Sequence, residues 1–158
     1  MTTDNADKVW DLVEKIPICM LVTHDGEDIR SRPMGAYPCR EENAVYFLTD
    51  SRRHKDEEVA RDPRVCIAFS DPGSQTFVSL TGQAVVLNDR EKIKEFWSLP
   101  AKAWWDSPDD PAIRLLRVTP KDAEYWDAPG KVVSYVKMAA AALSKTRPAL
   151  GENKKVAL

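Results

Sequence analysis

Apolar residues near the start of the chain are spaced differently from those in its middle. Between positions 4 and 17 they recur every three or four residues, which predicts an amphipathic helix. Asp4 or Asn5 can cap the first turn of this helix, and Pro17 ends it. A second helical pattern covers 131–145, where alanines are frequent and apolar residues again recur at helical spacing.

Short apolar segments, separated by turn residues, dominate the middle of the chain and predict strands. They cover 18–24, 29–40, 44–49, 64–71, 76–88, 112–120 and 122–128. Pro33 and Pro38 lie inside the second segment. Because proline donates no hydrogen bond to a neighbouring strand, this segment is predicted to be bulged or to lie at a sheet edge. Gly82 interrupts the segment at 76–88, where it predicts a kink that curves the sheet.

Shorter helices and a polar tail complete the predicted order of elements. One short helix precedes Pro63, another runs from Asp89 to Trp97, and 98–111 is irregular. No regular crossover helices separate the strands, so the pattern predicts a mainly β domain with peripheral helices. We expect a closed antiparallel barrel or sandwich over residues 1–145 and a C-terminal tail over 146–158.

Composition and charge argue against several classes of function. The formal net charge is −2, so the chain has no global positive field that would attract nucleic acid. No apolar run reaches the length of a membrane span, and the acidic N-terminus is unlike a signal peptide. Cys19, Cys39 and Cys66 lack the spacing of a zinc site, and we interpret them as buried free thiols of a cytoplasmic protein.

A basic cluster lies where the strand at 44–49 meets the next helix. Its members are Arg52, Arg53, His54 and Lys55. Free backbone N–H groups at such a junction can bind an anion, and arginine and lysine side chains bind phosphate. The alternative is a solvated turn whose side chains pair with the acids at 56–58.

Two further arginines offer a second contact for the same ligand. Arg30, Arg32 and Met34 share one face of the predicted edge strand, because side chains alternate along a strand. Arginines at an edge can simply discourage pairing with other strands. They can equally reach a phosphate, so this strand and the basic cluster together favour a site for an elongated phosphorylated ligand.

The order of four segments resembles the flavin-binding split-barrel family related to pyridoxamine-phosphate oxidase, in particular its bacterial general-stress-protein branch. The segments read RSRPM, VYFLTDSRRHKDEEVARDPRVCIAFSD, VSLTGQAVV and LLRVTPKDAEYWDAP. The resemblance implies a six-stranded antiparallel split β-barrel with peripheral helices. It also implies a homodimer that holds flavin mononucleotide (FMN) in a cleft between the two subunits.

Carried over by position, the resemblance implies three groups of cofactor-binding residues. Against the flavin and its tail lie Arg32, Pro33 and Met34. Along the edge of the isoalloxazine ring, largely through backbone groups, lie Phe47, Leu48, Thr49 and Asp50. Near the phosphate lie Ser51, His54 and Lys55. Trp104 and Trp105 are either core anchors or a cover for the partner's flavin.

The resemblance implies an FMN-dependent oxidoreductase that acts on a small redox substrate, with NAD(P)H as a candidate donor, in a general stress response. The chain lacks the Trp- and Arg-rich C-terminal segment of the true oxidase, so pyridoxamine phosphate is not the expected substrate. No residue is predicted to be a catalytic acid or base. One alternative is a flavin carrier or sensor without turnover. Another is a haem-binding split barrel, for which His24 and His54 are the available imidazole ligands.

Overall fold

The structure, a computed structural model, describes residues 2–53, 55–148 and 151–158. Its helices are α1 (Thr2–Val13), α2 (Lys55–Arg61), α3 (Arg90–Glu95), α4 (Leu99–Lys102) and α5 (Lys131–Ser144). Its strands are β1 (Ile18–Asp25), β2 (Asp28–Gly35), β3 (Tyr37–Cys39), β4 (Ala44–Asp50), β5 (Arg64–Asp71), β6 (Thr76–Leu87), β7 (Ile113–Asp127) and β8 (Glu152–Ala157).

The eight strands form one antiparallel sheet in which β7 has the largest set of neighbours. The main path runs β2-β1-β5-β6-β7-β4-β3, and β8 pairs with β7 outside this path. One edge of β7 pairs with β6 from Leu115 to Asp127. Its other edge pairs with β4 through 113–118 and with β8 through 122–127. The two strands predicted over 112–120 and 122–128 are therefore one continuous strand.

The sheet is strongly curled because its two ends are neighbours in the sequence. β2 and β3 lie at opposite ends of the strand order, yet Ala36 alone separates them along the chain. This single-residue connection brings the ends together. Both end strands carry a proline, Pro33 in β2 and Pro38 in β3, which lacks the N–H needed for a further ladder. The predicted edge position of this region is confirmed.

The expectations of a closed barrel and of six strands differ from the structure. In the described part of the chain the sheet is open, since no β2–β3 ladder joins its ends, and it has eight strands. The region predicted as one strand over 29–40 divides at Ala36 into the two end strands. The segment interpreted as a polar tail contains β8, which adds to the free edge of β7.

Two apolar clusters cover opposite faces of β4, all of whose residues are buried. Val45 and Phe47 pack into the main core with α1 and the strands β1, β5, β6 and β7. Tyr46 and Leu48 pack on the other face with α3, α4 and the first part of β7. Because both faces are covered, the C-terminal end of β4 is held rigidly where it reaches Thr49 and Asp50.

The predicted kink at Gly82 is confirmed and has a steric cause. The register between β6 and β7 shifts between Thr81 and Gly82. A Cβ atom at position 82 would lie 2.3 Å from the carbonyl oxygen of Thr119, so this close approach of two backbones requires glycine.

The cysteines are free thiols, but their burial differs from the prediction. Cys19 is buried, and this burial raises the pKa of its thiol to about 12. Cys39 and Cys66 are only partly buried. Among the described residues, no helix has both the length and the apolar character needed to cross a bilayer.

Candidate functional site

A cavity of about 390 Å³ lies between β2, the C-terminal end of β4 and the segment around α4. This volume falls within the usual range for small-molecule sites. The lining residues are Arg32, Pro33, Met34, Gly35, Tyr37, Leu48, Thr49, Asp50, Arg53, Pro100, Ala101, Trp104 and Trp105. They combine aromatic and aliphatic walls with a few polar groups, as ligand sites commonly do.

Thr49 contributes a buried polar group without a partner. The residue is 2% exposed and lines the cavity. Its hydroxyl has no hydrogen-bond partner within the described part of the protein. Alternation along β4 places this side chain on the same face as Phe47, so its hydroxyl is closed off from solvent rather than presented to the cavity.

Asp50 holds one wall of the cavity in place. Its carboxylate accepts hydrogen bonds from the backbone N–H of Arg52 at 2.8 Å and from the Arg52 Nε at 2.9 Å. The indole Nε1 of Trp105 donates to Asp50 Oδ2 at 3.0 Å. The Arg52 guanidinium is the main cause that lowers the pKa of Asp50 far below its ordinary value. Asp50 is therefore ionised at neutral pH, and its charge fixes the orientation of the Trp105 ring.

Arg53 and Trp104 form the outer rim of the cavity. The guanidinium of Arg53 lies over the Trp104 ring, 5.4 Å from its centroid, in a cation–π arrangement. Both side chains are exposed. This rim places a positive charge and an aromatic face together at the solvent end of the cavity.

Arg32 enters the cavity from β2 and is tied to a carboxylate behind it. Its Nη2 donates to Glu58 Oε2 on α2 at 2.9 Å. The hydroxyl of Thr23 on β1 donates to the same oxygen at 2.6 Å and accepts from Arg32 Nη1. Three separate elements are thus joined by one largely buried polar cluster.

The cavity gathers most of the residues that the sequence predicted as cofactor-binding. It brings together Arg32, Pro33, Met34, Leu48, Thr49, Asp50 and Trp105. Phe47 is not among the lining residues; its side chain is fully buried in the main core, because alternation along β4 turns it to the opposite face from Leu48.

The predicted phosphate contacts at the turn after β4 are only partly described. Ser51 is exposed and does not line the cavity. His54 and the side chain of Lys55 lie outside the described residues.

The expectation of free backbone N–H groups at this turn is wrong for residues 51–53. The N–H of Ser51 donates to the Ala112 carbonyl, and the N–H of Arg53 donates to the Asp50 carbonyl. The N–H of Arg52 donates to the Asp50 side chain. Side chains are therefore the groups at 51–53 that remain to bind an anion.

Sequence reasoning missed several groups that shape the cavity. Tyr37 lines it and shares a hydrogen bond of 2.9 Å with the Ser98 hydroxyl. Thr23 and Glu58 support Arg32 from behind. No local pattern could have found Glu58, because it is 26 positions from Arg32 and reads as one of three consecutive acids on a surface helix.

A second concavity of about 710 Å³ lies around the Gly82 kink. It is lined by His24, Arg64 and Lys121 together with apolar residues of β1 and β5. The guanidinium of Arg64 is bound to Asp62, and this pairing lowers the pKa of that carboxyl well below its ordinary value. Of the predicted cofactor-binding residues whose side chains the structure describes, none lines this concavity.

Comparisons with known proteins support one family. The model of a family described as pyridoxamine 5′-phosphate oxidase like matches residues 4–149. General stress protein 26 of Bacillus subtilis (strain 168) is 27% identical over 132 residues, which covers 79% of this chain and 90% of that relative.

Solved structures of general stress proteins also superpose on this chain. A Jannaschia sp. CCS1 protein described as a candidate general stress protein 26 superposes with a TM-score of 0.81 at 29% identity, and all of both chains is covered. The general stress FMN/FAD binding protein of Xanthomonas citri superposes with a TM-score of 0.68 at 26% identity. That match covers 80% of this chain and 90% of the other.

Proposed function

The chain belongs to the pyridoxamine 5′-phosphate oxidase-like family, and from this premise we propose that it binds FMN in the cavity beside β4. We further propose that it acts as a small flavin-dependent oxidoreductase of the general-stress type. The similarity to the Xanthomonas citri protein supports the choice of a flavin. The single observation that carries the proposal is that one cavity gathers seven of the residues predicted to bind the cofactor, from β2, β4 and the segment after α4.

The residues of the cavity divide into an apolar part and a cationic rim. Leu48, Pro33 and Met34 offer apolar contact to a flat ring. Arg53 at the rim, with Lys55 at the start of α2, provides positive charge for a phosphate. A flavin supplies electron-transfer chemistry when bound, and the protein supplies position and electrostatics.

A second candidate function is a flavin carrier or sensor without turnover. The carboxylate that lines the cavity, Asp50, is engaged by Arg52 and Trp105 and is kept ionised. The hydroxyl of Tyr37 is hydrogen-bonded to Ser98. The carboxylate among the described lining residues is thus held in its charged form, which favours binding over acid–base chemistry.

The absorption spectrum of the purified protein is the first test. We expect bands close to those of free flavin, either as purified or after FMN is added and the excess is removed. A colourless protein that does not retain FMN would refute the proposal. A sharp Soret band would support a haem-binding function instead.

Steady-state oxidation of NADH and NADPH by the flavin-loaded protein separates the two candidate functions. Turnover above that of free FMN supports the oxidoreductase. Stable flavin binding without turnover, with other small electron acceptors also tested, supports the carrier or sensor. Pyridoxamine phosphate serves as a substrate control, and we expect no oxidation of it.

We also propose that the protein is a homodimer with the flavin site near the subunit interface. Helix α5 supports this: among its described side chains, only Ser134 and Ala141 are buried. Val132 is 75% exposed, Val136 64% and Leu143 88%. A helix that is apolar on nearly all sides is normally covered, and a second copy of the chain is the expected cover.

A further inference from the structure

The charged side chains beside β2 and β4 are arranged in compensating pairs. Arg32 is bound to Glu58, and Asp50 is bound to Arg52. The side chains of Arg32 and Glu58 are only 18% and 11% exposed, so solvent screens this pair weakly. The carboxylate of Glu58 therefore largely cancels the positive charge of Arg32 beside β2.

The rim of the cavity differs from this compensated interior. Arg53 is an exposed cation whose guanidinium lies against an aromatic face, that of Trp104. Lys55 follows two positions later, as the first residue of α2. A ligand with an uncharged ring and a phosphate would consequently find a neutral region beside β2 and positive charge at the turn after β4.

We propose that Glu58 determines the charge selectivity of the cavity, by cancelling the charge of Arg32 and keeping the region beside β2 neutral. This inference rests on the proposed function, because it requires that the cavity binds a flavin. It assigns Arg32 to the neutral ring portion of the ligand. The sequence alone left two other roles open for Arg32, in which it reaches the phosphate or discourages pairing at the sheet edge.

A double-mutant cycle between Arg32 and Glu58 tests this assignment. The variants are Glu58→Gln, Arg32→Gln and the double variant, and glutamine keeps the length and hydrogen-bonding capacity of Glu58. For each variant, the Kd of FMN and the Kd of riboflavin are measured by quenching of flavin fluorescence. The ratio of the two affinities reports the preference for the phosphate, and a general loss of packing would not change it.

The preference for FMN over riboflavin is expected to change in opposite directions in the two single variants. Glu58→Gln leaves the Arg32 charge uncompensated and should raise the preference for FMN by about three- to tenfold. Arg32→Gln leaves the Glu58 carboxylate uncompensated and should lower that preference by a similar factor. The double variant, which removes both charges, should return to within about twofold of the unmodified protein.

Glu91→Gln is the matched control, since Glu91 is an exposed acid on α3 and the change in net charge is the same. It should alter the ratio by less than about twofold, because exposed charges are screened. Melting curves confirm that each variant is folded. If Glu58→Gln does not fold, the comparison of Arg32→Gln with the charge-balanced double variant still decides the question.

Two outcomes would overturn the inference while flavin binding persists. A double variant with a preference as low as that of Arg32→Gln would show that Arg32 binds the phosphate directly. An unchanged ratio in Glu58→Gln would show that Glu58 has no role in charge selectivity. Failure of the unmodified protein to bind either flavin would instead refute the proposed function, and this inference with it.

Discussion

At the scale of single residues, Asp50 connects three parts of the cavity. It ends β4, binds Arg52 on the following turn and accepts a hydrogen bond from Trp105 on the segment after α4. Because it is only 8% exposed and keeps its charge, its contacts are charge-assisted and stronger than those between neutral groups.

Asp50→Asn should lower the free energy of unfolding at neutral pH by about 1.5–3 kcal/mol, the range for hydrogen bonds to charged groups. The pKa of Asp50 is lowered in the folded state, so its contribution is complete above the pKa of the unfolded chain, about 3.9. The contribution is lost as the pH falls from that value towards the lowered folded-state pKa. The difference between the two proteins should therefore shrink below about pH 4.

Urea denaturation at pH 7, 5, 4 and 3 measures this difference. Asp106→Asn is the control, because Asp106 is an exposed carboxylate on the same segment as Trp105. A difference for Asp50→Asn that stays constant from pH 7 to pH 3 would contradict the assignment of an ionised, stabilising carboxylate.

Lys55 supplies a second prediction at this scale, which follows from the proposed phosphate contact. Lys55→Ala should weaken FMN binding by about 1.5–3 kcal/mol, or roughly ten- to a hundredfold in Kd. Riboflavin binding should barely change, since riboflavin lacks the phosphate. Fluorescence quenching at two salt concentrations gives both affinities.

Arg61→Ala, at the other end of α2, is the control for the loss of a positive charge from the same helix. It should leave both affinities nearly unchanged. If Lys55→Ala leaves FMN binding intact, the basic cluster is only a solvated turn.

At the scale of elements, the shape of the sheet depends on where two strands approach closely. Gly82 lets β6 and β7 shift register and bend together, and the bend lies midway along β7, between its pairing with β4 and its pairing with β8. The positions of the strands that carry the cavity therefore depend on this one residue.

Gly82→Ala should destabilise the protein by about 3 kcal/mol, because a Cβ atom there would meet the Thr119 carbonyl oxygen at 2.3 Å and force the strands apart. Gly35→Ala is the matched control, since a Cβ atom at that position meets nothing within 4 Å. Thermal melting of both variants provides the measurement. Equal melting temperatures for the two variants would show that the bend tolerates a side chain.

β8 shows how an element can depend on its neighbour. Its sequence, ENKKVA, contains residue types that are uncommon in strands. It is nevertheless extended, because its backbone pairs with β7 from Asp122 to Asp127. A free sheet edge and the burial of Val156 in the main core provide the stabilisation that local propensity lacks.

At the scale of the whole molecule, helix α5 leaves a large apolar surface uncovered. If a second copy covers this surface, light scattering should report a dimer at micromolar concentration. Val136→Glu places a charge on the exposed apolar side of α5 and should shift the protein towards the monomer, because a buried unpaired charge destabilises an interface.

Lys15→Glu is the control for this experiment; it also makes the surface more negative, but at an exposed position after α1. It should leave the dimer intact. A monomeric unmodified protein with flavin bound, or a Val136→Glu variant as dimeric as the control, would refute the role of α5.

Local features of the sequence were sufficient to predict most elements and part of the site. Apolar residues recur every second position in a half-buried strand and every three or four positions in an amphipathic helix. These two spacings located the strands and the long helices. Pro33 and Pro38 indicated a sheet edge, because proline donates no hydrogen bond to a neighbouring strand. Gly82 indicated a kink, because glycine lets a strand bend or approach another backbone closely. The motif around Arg32 and the end of β4 identified two walls of the cavity.

The tertiary structure alone decided which distant groups meet. Trp105 reaches Asp50 across 55 positions, and Glu58 reaches Arg32 across 26. The sequence also did not reveal that strands joined through Ala36 lie at opposite ends of an open sheet. Such contacts depend on how strands pair and curl around a shared core. Spacing along the chain reports only the local backbone and its exposed face, so it could not indicate these partners.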